Sequence, residues 1–248
     1  DMYYLGIDIG TTTVCGVVTD EQGNSVFVRT LKNNSSISPA QQNADIIFQL
    51  VQTLYAATME KYSVTAVGIS NQMHGVVYYD QNGNAVSPLF TWQEKCGDLP
   101  YNKTETYAQR LSRLLGQKVF SGYGLVTHFY LSENGLLPKN AVGFCSVGDY
   151  VAMRLCNQKQ PLVHISNSAS FGGFNLCAND FCKNAKMLFN AYLPPICTRP
   201  SIVGHTQENI PVLCAIGDNQ ASVYACLENT EDVVLNVGTG SQISAVVQ

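Results

Sequence analysis

The chain has 248 residues, 46% of them hydrophobic and 13% charged, with a formal net charge of -4. That length admits one large domain or two smaller ones with a sizeable core. The sparse, net-negative charge leaves no basic stripe for a nucleic-acid backbone, and no apolar run is long enough to span a bilayer.

Asp8 interrupts the first apolar run, which has no basic region before it, so it does not read as a signal peptide. The 9 cysteines are scattered without a Cys-x-x-Cys pair. Cys177 and Cys182 lack the further pair that a zinc site needs, and the set reads as free thiols in a reducing cytosol.

Residues 3 to 30 predict three consecutive strands. The first ends at Ile9, Gly10 to Thr12 make a turn, and the second runs to Thr19. Asp20 to Asn24 make the next turn, before a third strand from Ser25 to Thr30. Ser38-Pro39 predicts a helix start, with Ser38 as cap, Gln41 closing a capping box and Ile46, Ile47, Leu50, Val51 and Leu54 as the apolar face. Val64 to Ser70 reads as a strand running into Asn71-Gln72-Met73-His74-Gly75. Val76–Tyr79 and Ala85–Phe90 read as a hairpin. Thr104–Leu115 reads as a helix closed by Gly116, residues 117 to 141 give no clear element, and Val142–Ser146 is strand-like. Asp149–Cys156 and Phe181–Tyr192 read as helices, with residues 161 to 176 irregular between them. Residues 199 to 212, with Pro200, Gly204 and Pro211, mark a boundary. Val212–Ile216 is then a strand ending in Gly217-Asp218, and Ala221–Leu227 a helix. Strands alternating with helices indicate α/β architecture.

One pattern occurs twice. Asp8-Ile9-Gly10-Thr11-Thr12-Thr13 follows one apolar strand and precedes another, and so does Asn236-Val237-Gly238-Thr239-Gly240-Ser241. Turns of glycine and threonine present N–H groups and hydroxyls to an anion, with no side chain blocking approach. Two such turns facing each other would grip the phosphates of one nucleotide.

The paired turns, with Gly217-Asp218 before the second, resemble the actin-like ATPase (ribonuclease H-like) fold, and within it the FGGY carbohydrate kinases. Ser70-Asn71-Gln72-Met73-His74-Gly75-Val76-Val77 resembles the sugar loop of the branch containing xylulokinases and sedoheptulokinases. Thr91-Trp92-Gln93, Asp149 to Cys156, and Gly217 to Tyr224 are most similar to the sedoheptulokinases. The sequence departs from the family at Thr127-His128-Phe129-Tyr130, at Glu94-Lys95 and at His164-Ile165-Ser166-Asn167.

The resemblance implies a mixed sheet opening with the antiparallel meander, helices on both faces, a sugar-binding lobe over 1–211 and the start of a nucleotide-binding lobe over 212–248. Roughly 36 residues cannot form an independent core, so that second lobe reads as cut short and the chain alone as inactive. The implied reaction is ATP-dependent phosphorylation of a ketose at its terminal primary hydroxyl. Asp218 is the general base by resemblance, although the same residue can cap the following helix. Asp8 would orient Mg²⁺ through water. Gly10, Thr11, Thr12 and Thr13, with Gly238, Thr239 and Gly240, would hold phosphates. Gln72, Met73, His74, Trp92, Asp149 and Asp218 would line the sugar site. Asp149 can instead cap its helix, and Trp92 can be a core residue. His128 and His205 read as structural. The implied partners are ATP, Mg²⁺ and a small sugar, in a cytoplasmic protein, as a homodimer. Another FGGY kinase such as a xylulokinase, or a non-catalytic sugar-binding relative, fits the same residues.

Overall fold

The structure is a computed structural model that describes residues 2–229, 231–237 and 241–245. Strands β1 (Tyr3–Ile9), β2 (Thr13–Thr19) and β3 (Ser25–Lys32) form the expected antiparallel meander. Strand β4 (Val64–Asn71) lies parallel to β1 on its other side. Beyond β4 come β5 (Ile202–His205), β6 (Pro211–Leu213) and β7 (Ile216–Gly217). Both β6 and β7 pair in parallel with β4, and β5 pairs antiparallel with β6. The sheet is therefore mixed. Its last two strands in the chain, β6 and β7, begin at Pro211, beside the lobe boundary expected after residue 211.

Helix α1 (Ala44–Met59) and helix α4 (Val147–Leu155) pack on one face of this sheet and on each other. Alternation along β1 turns Leu5, Ile7 and Ile9 into that core and leaves Tyr4, Gly6 and Asp8 exposed on the other face. Among the described residues of β1, the helical cover expected on both faces is thus seen on one.

Helix α1 starts later than the sequence suggests. Ser36–Ser38 and Gln41–Gln42 pair as short strands, and the cap is Asn43, whose side chain accepts from the N–H groups of Asp45 and Ile46. The Ser38-Pro39 signature therefore belongs to a turn between extended segments. Helix α2 (Tyr107–Leu115) has a capping box from Thr106 and Gln109 and ends at Gly116, whose φ of 70° suits glycine.

Helix α3 (Gly124–Glu133) lies in the stretch without a predicted element. Gly124 through Phe129 and Leu131 are all buried, so there is no amphipathic stripe to read. Helix α4 begins at Val147, not Asp149, with Ser146 as its cap. Helix α5 (Ile165–Ser170) falls in the stretch read as irregular, and α6 (Lys183–Phe189) is shorter than expected. Helix α7 (Asp218–Cys226) starts directly at Asp218, and none of its residues is fully buried. Strands β8 (Val233–Val237) and β9 (Ser241–Ala245) pair antiparallel as a separate hairpin.

Candidate active site

Register across the sheet fixes which residues meet. Asp8 lies beside Ser70, and Ser70 beside Ile216; one step on, Ile9, Asn71 and Gly217 are abreast. The chain then leaves the sheet three times at one edge, into the Gly10–Thr12 turn, the Gln72–His74 loop and Asp218 at the start of α7. Parallel strands gather their carboxyl ends in this way, where α/β sheets bind ligands.

Asp8 is exposed, and its Oδ1 accepts a 2.6 Å bond from Ser70 Oγ. Asp218 is partly buried. Burial raises its carboxyl pKa, the N–H of Asn219 opposes this, Asp8 raises it further by like charge, and His74 draws it down. Two carboxylates and an imidazole thus act on one another across the strand ends.

The Gln72-Met73-His74 loop is anchored at each residue. The N–H of Gln72 donates to Ile9 O at 2.8 Å, and its Nε2 to Gln42 Oε1 at 2.9 Å. Met73 is buried against Gly217, where an added Cβ would fall 2.6 Å from Met73 Sδ. His74 has φ 71°, an uncommon conformation for a residue with a side chain, and one of the kind that gathers at ligand sites. Its N–H donates to Ser170 Oγ at 3.1 Å, and its Nδ1 lies 2.7 Å from Ser170 O. A carbonyl only accepts, so Nδ1 carries the hydrogen and Nε2 keeps its lone pair. The ring stacks on Tyr123 at 4.6 Å, and burial lowers its pKa, which favours the neutral form.

The first Gly-Thr turn is clamped from several sides. Trp92 Nε1 donates to Thr11 Oγ1 at 3.1 Å, Gln42 Nε2 to Thr11 O at 2.8 Å, and Asn33 Nδ2 to Gly10 O at 3.0 Å. Trp92 is 42% exposed, so it is no core residue. Among the described residues the N–H groups of Thr11 and Thr12 donate to no protein acceptor. That free pair of donors fits an anion such as phosphate. Thr13 opens β2 and is exposed. The second turn's Gly238, Thr239 and Gly240 lie outside the described residues, although their flanking strands pair as the repeated pattern requires.

Asp8, Gly10 to Thr13, Gln72, Met73, His74, Trp92 and Asp218 are thus brought to one edge. Asp149 is not exposed there. It is 1% exposed and sits in the first turn of α4, where its Oδ2 accepts from Ser146 N at 3.2 Å and Ser146 Oγ at 2.5 Å. The expectation that it contacts sugar is corrected to a capping role, because its burial in the first turn of α4 separates it from solvent. His128 is structural as expected, with Nδ1 2.7 Å from Tyr78 Oη and burial lowering its pKa to about 4. Among the described residues, no three His, Cys, Asp or Glu side chains form a metal-binding group, and no helix is long and apolar enough to cross a membrane.

Sequence reasoning missed Gln42 and Asn33, which hold the first turn, and Ser166 and Ser170, which hold Gly217 and His74. The N–H of Gly217 donates to Ser166 Oγ at 3.1 Å. The only signal was the density of Ser, Asn and Gln in stretches read as a helix start or a loop.

Residues 3–225 match the N-terminal domain of the FGGY family of carbohydrate kinases. The chain belongs to that family. Among relatives of this FGGY chain, the sedoheptulokinase of Homo sapiens is 31% identical over 97% of the chain and 58% of its own length. The gluconokinase of Bacillus subtilis is 26% identical over 74% of the chain and 37% of its own length. The FGGY chain therefore spans little more than half of the first of these relatives. A gluconate kinase and a xylulose kinase from Lactobacillus acidophilus each superpose with a TM-score of 0.83 over 98% of the chain, at 19% and 18% identity, covering 53% and 54% of those chains. The fold is that of the FGGY sugar kinases, the actin-like ATPase fold.

Proposed function

We propose that this protein transfers the γ-phosphoryl group of ATP to the terminal primary hydroxyl of a ketose, with a sedoheptulose-like sugar as substrate. The observation that carries this reading is the convergence of Asp8, His74 and Asp218 at the ends of three adjacent strands, beside a Gly-Thr turn with free N–H groups. Phosphoryl transfer needs a group to take the alcohol proton, a clamp on the phosphates and positive charge near them.

Asp218 takes the hydroxyl proton. Its partial burial and its carboxylate neighbour both raise its proton affinity, which suits a general base. His74 presents Nε2 as an acceptor to a sugar hydroxyl, held there by Ser170 and Tyr123. Met73 and Trp92 give the sugar an apolar wall. The N–H groups of Thr11 and Thr12 receive phosphate oxygens. Asp8, an exposed carboxylate close enough to Asp218 to perturb it, fits a magnesium ion held through water, because magnesium keeps most of its waters and takes few protein carboxylates. Bound Mg²⁺ would neutralise charge on the phosphates. The division into a sugar-binding lobe (1–211) and the start of a nucleotide-binding lobe (212–248), a homodimer and a cytoplasmic setting belong to the same proposal. Strands β6 and β7 pair with β4, so the first residues of the second segment complete the sheet of the first.

The test is ADP release by the full-length protein over a panel of sedoheptulose, xylulose, gluconate and glycerol, repeated with Asp218→Ala. Turnover highest on sedoheptulose and abolished by the substitution is the expected result. Sugar-dependent turnover that survives Asp218→Ala would overturn the assignment of the base. Ketose binding without turnover would favour a sugar-binding relative.

A further inference from the structure

Behind the site lies a buried polar cluster that the proposed reaction leaves unused. Asn71, at the end of β4, and Asn167, in α5, are both 0% exposed. Asn167 Nδ2 donates to Asn71 Oδ1 at 3.0 Å and to Ala215 O at 3.3 Å. Ala215 precedes Ile216-Gly217-Asp218, so this amide holds the short segment that presents Asp218. The neighbouring Ser166 holds the same segment through Gly217 N. The first turn of α4 closes on the cluster. A Cβ added at Gly148 would fall 2.3 Å from Asn71 Oδ1 and 2.8 Å from Ala215 Cβ.

Two acceptors in this cluster lack donors, Asp149 Oδ1 and Asn167 Oδ1. The Asn167 side chain also neighbours Asp149, and as a donor it would lower the Asp149 pKa against the larger upward push of burial. Turning the Asn167 amide over would aim Nδ2 at Asp149. It would also set Asn167 Oδ1 against Asn71 Oδ1 and Ala215 O, leaving those two acceptors without their donor. A hydrogen on Asp149 Oδ1 would give both orphans a partner, Asp149 Oδ1 as donor and Asn167 Oδ1 as acceptor, and would leave the bonds of Asn167 Nδ2 in place. Asp149 Oδ2 is already supplied by Ser146.

We propose that Asp149 is a neutral carboxylic acid that donates to Asn167 Oδ1, and that Asp149 and Asn167 together are positioning residues for the segment carrying Asp218. The role of the cluster in turnover rests on the reading of Asp218 as base; the protonation of Asp149 does not. Burial is the main cause pushing the Asp149 carboxyl up to about 8. The titratable groups that face it are thiols, Cys145 on the strand Gly143–Cys145, Cys214 after β6, and Cys197 beside Cys214.

The sign of the stability effect follows from linkage. A carboxyl raised in the folded state stabilises fully below its unfolded pKa, and that contribution is lost as pH rises towards the folded pKa. Wild-type stability should therefore fall between about pH 4 and pH 8 and level off above. Asp149→Asn reproduces the neutral acid, since its Nδ2 donates to Asn167 and its Oδ1 accepts from Ser146.

The test uses the full-length protein. At pH 6 the infrared spectrum should contain a protonated-carboxyl C=O band that is absent from Asp149→Asn. At pH 8 the variant should melt about 4 °C or more above wild type, with the gap closing by pH 4. The alkaline limb of kcat near pH 8 should be lost in Asp149→Asn and kept in Cys214→Ser. A carboxylate at pH 6, or a variant less stable than wild type at every pH, overturns the protonation. An alkaline limb unchanged in Asp149→Asn overturns the positioning role. The infrared and melting results hold whether or not Asp218→Ala abolishes turnover, so failure here is distinct from failure of the base assignment.

Discussion

Asp218 and Asp8 show how burial and one like-charge neighbour tune a carboxyl group. Asp218 is raised by burial and, further, by Asp8. A general base works only when ionised, so activity should be lost as pH falls through a value above the ordinary carboxylate range, about 4. Asp218→Asn should lower kcat by about 10²- to 10⁴-fold, the usual contribution of a positioned base, with KM changing far less, as steady-state kinetics on the preferred ketose would show. His74 is proposed to act on binding instead. Removing one neutral hydrogen bond costs about 1 kcal/mol, so His74→Ala should raise KM about 5-fold or more, and a kcat-only defect would contradict its role. At this scale the sequence was informative where residue types are rare in combination. Gln72-Met73-His74 after a strand and Gly217-Asp218 before a helix stood out. Gln42, Asn33, Ser166 and Ser170 did not, because their roles arise from side chains reaching across 31, 23, 51 and 96 residues. Asp149 was misplaced for a related reason. An acid at the third helical position serves equally as a cap or as a ligand, and only burial decides.

The elements divide by whether their environment is one-sided. Strand β1 alternates because one face is buried and the other open, and its extent could be read from the chain. Helix α3 is buried nearly all round and carries no periodicity, so it was invisible. The apolar face of helix α1 is legible in the sequence, but its start is not, because Ser38-Pro39-Ala40-Gln41 imitates a helix start. Asn43 is the residue whose side chain meets the free N–H groups. Replacing that cap, Asn43→Ala, should cost about 1 kcal/mol, seen as a lower midpoint in urea with an unchanged slope. Gly217→Ala tests how closely the elements meet at the site. The new Cβ would approach Met73 Sδ and Gln220 Oε1, each at 2.6 Å. Both are ends of flexible side chains, so the protein should still fold. Met73 must move from the proposed sugar wall, and kcat/KM should fall about 10-fold, while local overpacking of this kind costs about 1–3 kcal/mol of stability. Unchanged kinetics in that variant would show that Met73 does not shape the sugar site.

At the scale of the molecule, sugar binding and turnover should separate. Apart from Asp218 at the start of α7, the residues proposed to contact sugar sit on strands and loops rather than on the elements after β7. The elements after β7 are differently placed. No residue of helix α7 is fully buried, Tyr224 is 83% exposed, and Val233, Leu235 and Ile243 of the β8–β9 hairpin are between 62% and 73% exposed. Relatives such as the human sedoheptulokinase extend well past the matched region, which is 58% of that protein. Closure of two lobes is a common means of excluding water from phosphoryl transfer. These 248 residues by themselves should therefore bind ketose and release little ADP. A ketose at about 100 times its Kd stabilises a folded binder by about 2.7 kcal/mol, which for a chain of this size raises Tm by about 5–10 °C. Differential scanning fluorimetry with and without sedoheptulose measures that shift, and a coupled ADP assay on the same sample measures turnover. A Tm shift that His74→Ala diminishes, with ADP release near background, is the expected pair of results. Robust ATP-dependent phosphorylation by the 248 residues would mean that the first sheet and the hairpin suffice for catalysis. No shift at all would move the sugar site away from His74.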